Sequence, residues 1–102
     1  MAGLWESFYE AHRALNRDQT ERMKLIEAYE EIHCGDTEGL PEYVRPQFDE
    51  LIRGMMRVQI SGKQGRWQAS VDMMSDQEVK RMIECILDIW AVVSQNDELS
   101  RS

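Results

Sequence analysis

No stretch of this 102-residue chain approaches the roughly 18 consecutive apolar residues that a membrane-crossing helix needs. Its opening, Met1-Ala2-Gly3-Leu4-Trp5-Glu6, lacks the basic-then-apolar order of a secretion signal. The expectation is a cytoplasmic protein with no membrane partner. Cysteine is scarce: Cys34 and Cys85 stand far apart, and two cysteines in a cytosolic chain read as reduced thiols. Metal-ligand spacing is also missing, because His12, His33, Cys34 and Cys85 form neither a C-x2-C nor an H-x3-H pair. No segment surrounds a Cys/His pair with the activating and oxyanion groups that nucleophilic catalysis needs. Gly62-Lys63-Gln64-Gly65 falls short of the phosphate-cradling G-x-x-x-x-G-K-S/T pattern, and no strand precedes it. The chain therefore reads as a non-enzyme with no metal and no cofactor.

Basic residues are in the minority as well. The formal charge is −7, which argues against broad affinity for nucleic acid or for anionic lipid. Charge is unevenly spread: positions 1–50 hold 12 acidic and 5 basic residues, whereas 51–71 hold 4 basic residues and no acidic one. That basic island is Arg53, Arg57, Lys63 and Arg66, with Trp67 following directly. Basic groups beside an aromatic ring can grip phosphates and stack a base, anchor an acidic partner, or pair with the chain's own carboxylates; the last is the default. On the acidic side, Glu27, Glu30 and Glu31 with Asp36 and Glu38 form the candidate partner-facing set.

What the chain has in quantity is helical periodicity. Leu4, Phe8, Ala11 and Leu15 share one stripe, flanked by Trp5, Tyr9 and His12, predicting an aromatic-rich helix over 4–15. Asn16-x-x-Gln19 and Asp18-x-x-Glu21 read as capping boxes for a second helix carrying Met23, Ile26, Tyr29 and Ile32. Cys34-Gly35 ends it, with glycine suited to a left-handed position. Pro41 and Pro46 allow either a short turn and then a helix, or one bent helix; in both cases Phe48, Leu51, Ile52, Met55 and Met56 form its apolar stripe. Ser61 to Gly65 is the strongest loop signal, and 66–74 fits a short helix, an extended piece or a strand. Ser75-x-x-Glu78 caps a last helix with Val79, Met82, Ile83, Ile86, Trp90 and Val93, and with Cys85, Leu87, Ile89 and Val92 also apolar. Such a helix is hydrophobic on more than one side, as a central helix or one that packs on a partner would be. The expected architecture is all-α: residues 1–102 as a single compact bundle of about four to five amphipathic helices with short loops, ending in a frayed polar tail over about 95–102.

The stretch Phe8-Tyr9-Glu10-Ala11, Leu15, Met23 to Tyr29, Gly35, Leu40, Phe48 and the run to Ser61-Gly62-Lys63-Gln64-Gly65 resembles an uncharacterised helical domain of small phage and prophage proteins. The likeness covers about Ser7 to Trp67. Beyond Trp67 the family often continues into a basic Gly/Lys-rich tail, whereas this chain makes an acidic capped helix, which weakens a replication or DNA-binding role. The resemblance implies a small acidic protein-binding module that binds and inhibits a host complex, such as a bacterial CRISPR–Cas effector, in the host cytosol. The alternative is a phage replication or transcription accessory that touches nucleic acid through the basic island. A homodimer is compatible with both, because the last helix carries more apolar surface than one small core covers.

Overall fold

The computed structural model describes residues 3–35, 38–58 and 66–95, and these are all-α. Five α-helices follow one another among them: α1 Leu4–Leu15, α2 Glu21–Cys34, α3 Arg45–Met55, α4 Arg66–Asp72 and α5 Asp76–Gln95, with a 3-10 turn at Glu42–Val44 ahead of α3. The Ser61 to Gly65 loop and the tail beyond Gln95 lie outside the described residues. Gln95 itself is the last residue of α5.

The stripe of α1 is buried as its spacing dictates, with Leu4, Phe8, Ala11 and Leu15 facing inward together with Ser7 and Ala14. α2 departs from the expected face. It buries Leu25, Ala28, Tyr29 and Ile32, while Met23 is exposed and Ile26 only partly covered. A strict three-residue spacing drifts around a helix of 3.6 residues per turn, whereas 25, 28, 29 and 32 follow the i, i+3, i+4, i+7 rule. Its start differs too. Neither Asn16 nor Asp18 caps α2; Thr20 does, its Oγ1 accepting the Met23 N–H at 3.2 Å, while the Asn16 side chain donates back to the His12 carbonyl at 3.0 Å and closes α1. Both segments are rich in capping residues, and only the residue with extended backbone directly before the first turn can serve.

Gly35 is also not left-handed. Its backbone is extended, with φ −99° and ψ 176°. The glycine is required by space instead: a Cβ there would stand 1.6 Å from Ser7 Oγ and 2.7 Å from Ser7 Cβ, so the end of α2 lies directly on the first turns of α1. α1 and α2 run antiparallel, joined by the short link 16–20.

Of the two readings allowed by the prolines, the short turn followed by a helix is the one found, with Pro46 in the first turn of α3, where a missing N–H is harmless. α3 buries Phe48, Leu51, Gly54 and Met55 and lies antiparallel on α5. The ambiguous segment after the loop is the helix α4, seven residues long. A helix so short gains too little from its own hydrogen bonds to persist alone. It is held from outside: the Ser70 hydroxyl accepts the Val58 N–H at 2.9 Å, and Arg22 reaches over from α2 to the Val71 carbonyl and, at 2.9 Å, to the Met74 carbonyl. The Val71 carbonyl also accepts the Met74 N–H at 3.1 Å, so Arg22 adds to the turn that closes α4 and reaches the Met74 carbonyl just beyond it.

α5 begins as expected. The Ser75 hydroxyl accepts the Glu78 N–H at 3.1 Å and Glu78 Oε1 accepts the Ser75 N–H at 3.3 Å, a reciprocal capping box. Val79, Met82, Cys85, Ile86, Ile89 and Val93 are buried along it, and Ile83, Trp90 and Val92 are partly covered. All helices feed one hydrophobic cluster in which Phe8, Leu25, Leu51, Met55, Ile86 and Ile89 are fully enclosed. Each such side chain removed from water contributes about 1.5–3 kcal/mol.

Candidate interaction surface

The basic island is divided by the fold. Arg53 is exposed on α3, and Arg57, just past its end, pairs with Glu78 at 2.5 Å. Lys63 and the Arg66 side chain lie outside the described residues. Trp67 does not face solvent. Its ring is 7% exposed, meets the rings of Tyr29 and His33 edge-on at 4.8 Å each, and its indole N–H donates to Glu30 Oε2 at 2.6 Å. A ring so enclosed has no free face for a nucleic-acid base.

The acidic set divides as well. Glu27 is partly buried and takes Arg17 at 3.2 Å, and Glu30 accepts the Trp67 indole, so both carboxylates serve the fold. Glu31 and Glu38 are exposed, and Asp36 lies outside the described residues. Between α3 and α5 two crossed pairs form a clamp: Arg57 with Glu78, and Arg81 with Glu50 through contacts at 2.7 and 2.9 Å. The Arg81 hydrogen bonds hold the Glu50 carboxyl below the usual range, and Arg57, then the Ser75 N–H, do the same for Glu78. A carboxyl whose folded pKa is depressed contributes stability that is complete above its unfolded pKa and is lost as pH falls through the folded one. Denaturant midpoints should therefore fall between about pH 5 and pH 2, and a Glu50→Gln/Glu78→Gln variant should show a shallower fall over that window. Both carboxyls are substantially exposed, so the difference will be modest. Parallel acid limbs in the two proteins would count against the clamp.

Both thiols are free and their pKa values are shifted upward. Cys85 is buried and its pKa is pushed up to about 11 by loss of hydration, with the Glu50 carboxylate adding to it. Cys34 is exposed, and desolvation, then the neighbouring Glu30 and Glu31, raise its pKa too. Among the described residues no group of three or more His, Cys, Asp or Glu side chains is placed to hold a metal ion, and no helix is long and apolar enough to cross a membrane.

The surface feature that single residues did not announce is an aromatic face on the α1–α5 seam. Trp5 and Tyr9 stack at 5.0 Å with planes 9° apart, and Trp90 of α5 leans on both at 5.5 and 5.9 Å. His12 stacks on the same indole at 5.5 Å. These rings are not enclosed: Tyr9 is 37% exposed, Trp5, His12 and Trp90 are partly exposed, and Leu87, one turn before Trp90, is 39% exposed. The helices are antiparallel, so the face runs on toward Leu15 and Ile83, which with Lys24 and Glu84 line an open surface depression of about 280 Å³. A second depression of about 510 Å³ lies between Thr20–Arg22 and Asp76, Val79 and Lys80. The sequence held a signal for this face: Ile83, Leu87 and Trp90 form a second stripe on α5, beside the one that enters the core.

Fold and surface together define an all-α bundle with one well-formed core and one incompletely covered aromatic seam. No family model matches the chain, and no curated protein or solved structure shows significant similarity to it.

Proposed function

We propose that the chain is a small acidic protein-binding module and not an enzyme, of phage or prophage origin, that acts in the bacterial cytosol by docking on a host protein complex. A cationic surface meant for nucleic acid, such as the channel of a CRISPR–Cas effector, is the type of target its charge fits, and occupying that surface would inhibit it. Charge complementarity of this kind raises the association rate and selects the partner.

The observation that carries this reading is where the charges go. Arg13, Arg17, Arg22, Arg57 and Arg81 each lie within salt-bridge distance of one of the chain's own carboxylates. Meanwhile Glu21, Glu31, Glu42 and Asp49 face solvent on a chain of net charge −7. Five arginines are matched by the chain's own carboxylates, Arg45, Arg53 and Lys80 stay exposed, and the acidic surplus still outweighs them.

The test is affinity purification of the tagged chain from a bacterial lysate with and without nuclease, followed by the purified partner against a Glu31→Lys/Glu42→Lys variant. A stoichiometric protein that survives nuclease, and whose binding weakens with salt and with charge reversal, is the expected result. Recovery that depends on nucleic acid would overturn it in favour of a replication or transcription accessory using the basic island. Binding indifferent to both salt and charge reversal would remove the electrostatic mechanism.

A further inference from the structure

We propose that the docking surface is the aromatic face formed by Trp5, Tyr9 and Trp90 with Leu87, and that its occupant is an arginine-bearing surface of a partner protein. The inference rests on the protein-binding reading above and names the face that performs it, which is not the α2 carboxylate set.

Three observations on this face agree. Aromatic side chains anchor protein interfaces because they bring large, rigid contact area at small entropic cost, and here two tryptophans and a tyrosine lie together at ring distances of 5.0 to 5.9 Å while staying partly open to solvent. The charges beside its members are mixed but carry exposed acid: Glu6 follows Trp5 on α1 and Asp88 follows Leu87 on α5, while Glu84 has Arg81 at 3.8 Å, and Arg13 and Lys80 stand at the other edge. A guanidinium is the cation matched to that combination, since its plane stacks on indole and phenol faces while its edge donates to carboxylates. The face already shows the contact in miniature, with the Arg13 guanidinium 5.9 Å from the centre of the Tyr9 ring and its N–H edge 3.6 Å from Glu10.

A second copy of the chain fits less well. A two-fold contact centred on Leu87 would bring Asp88 of one copy against the same residue of the other, and the nearby cation, Arg81, is already engaged by Glu50 and Glu84. An arginine-bearing partner removes that repulsion.

The experiment uses the full chain labelled with 15N and a defined probe, a twelve-residue peptide of alternating arginine and alanine, followed through the three indole N–H signals. The Trp5 and Trp90 signals should move together on titration. The Trp67 signal, held on Glu30 beneath the surface, should stay. A Tyr9→Ala/Leu87→Ala variant, which alters only partly exposed positions and whose fold is checked by circular dichroism, should bind the peptide at least tenfold more weakly. Peptide binding that shifts amides around Glu31 and Glu42 and leaves Trp5 and Trp90 unmoved would overturn the choice of face while leaving the acidic-module reading standing. No binding at any salt would count against both. Sedimentation velocity on the same sample supplies the remaining outcome: a dimer disrupted by Tyr9→Ala/Leu87→Ala would assign the face to a second copy and overturn the arginine-bearing partner.

Discussion

Replacing Trp67 by alanine will lower the unfolding free energy by about 3–5 kcal/mol, the usual cost of emptying a site that a large aromatic ring fills. The reason lies in what the ring holds together. α4 spans seven residues and packs chiefly through Trp67 and Val71, both buried. The indole wedges between Tyr29 and His33 of α2 and ties α4 to that helix through Glu30. For a domain of this length the loss corresponds to a fall in Tm of roughly 12 °C or more. Trp67→Phe keeps most of the apolar area and loses only the N–H to a solvent-exposed carboxylate, so it should recover most of the difference. Thermal unfolding of the three proteins side by side decides the matter. If Trp67→Ala left Tm within about 2 °C of the parent, the ring would not be part of the core, and a base-stacking role for the basic island would regain its aromatic partner.

Gly35→Ala should destabilise by about 3 kcal/mol, at the upper end for overpacking. Backbone conformation does not supply the cost, since the extended geometry at Gly35 is open to alanine. The added methyl has no room: it would fall 1.6 Å from Ser7 Oγ and 2.7 Å from Ser7 Cβ, and Ser7 is itself buried. A hydroxyl can rotate away, but the Cβ moves only if α1 moves, and α1 meets α2 along most of its length. The prediction therefore comes with a rescue. Ser7→Ala removes the nearer atom and should return part of the loss, so the double variant should be more stable than the sum of the two single changes implies. Denaturant titrations of the four proteins give that coupling directly. Additive effects would mean that Gly35 and Ser7 do not touch.

Much of the fold is written locally. α1 begins and ends where the spacing of Leu4, Phe8, Ala11 and Leu15 predicts, and the box Ser75-x-x-Glu78 closes as two hydrogen bonds at the head of α5. Where local signals competed, the sequence was less decisive. Asn16, Asp18 and Thr20 are all competent caps, and which one serves depends on where the chain leaving α1 turns to bring α2 back alongside it. α4 stayed one of three readings because seven residues give barely two turns of periodicity, and its support comes from Arg22 and Ser70 acting across the fold.

The candidate surfaces show the same division more sharply. Trp67 beside Arg66 in sequence left open an exposed aromatic among cations, and its ring ends on Tyr29. Trp90 read as one more apolar residue of a core helix, yet it joins Trp5 and Tyr9 on an open face. In both cases the residue type was informative about what the side chain can do and silent about which neighbours it has.

The sequence by itself determined the helical class, the inward stripes of α1, α3 and α5, the last helix's second apolar edge and the acidic excess, because each rests on residues within one or two turns of one another or on composition alone. The tertiary structure alone decided that Trp67 is covered, that Arg22 closes α4, that Gly35 lies against Ser7 and that the α1–α5 seam is left open. Those contacts join positions 37 residues apart for Trp67 with Glu30 and 52 for Arg22 with Met74, and helical spacing carries no information across such distances. Only the packing of every helix against one shared core selects which edges are covered and which remain for a partner.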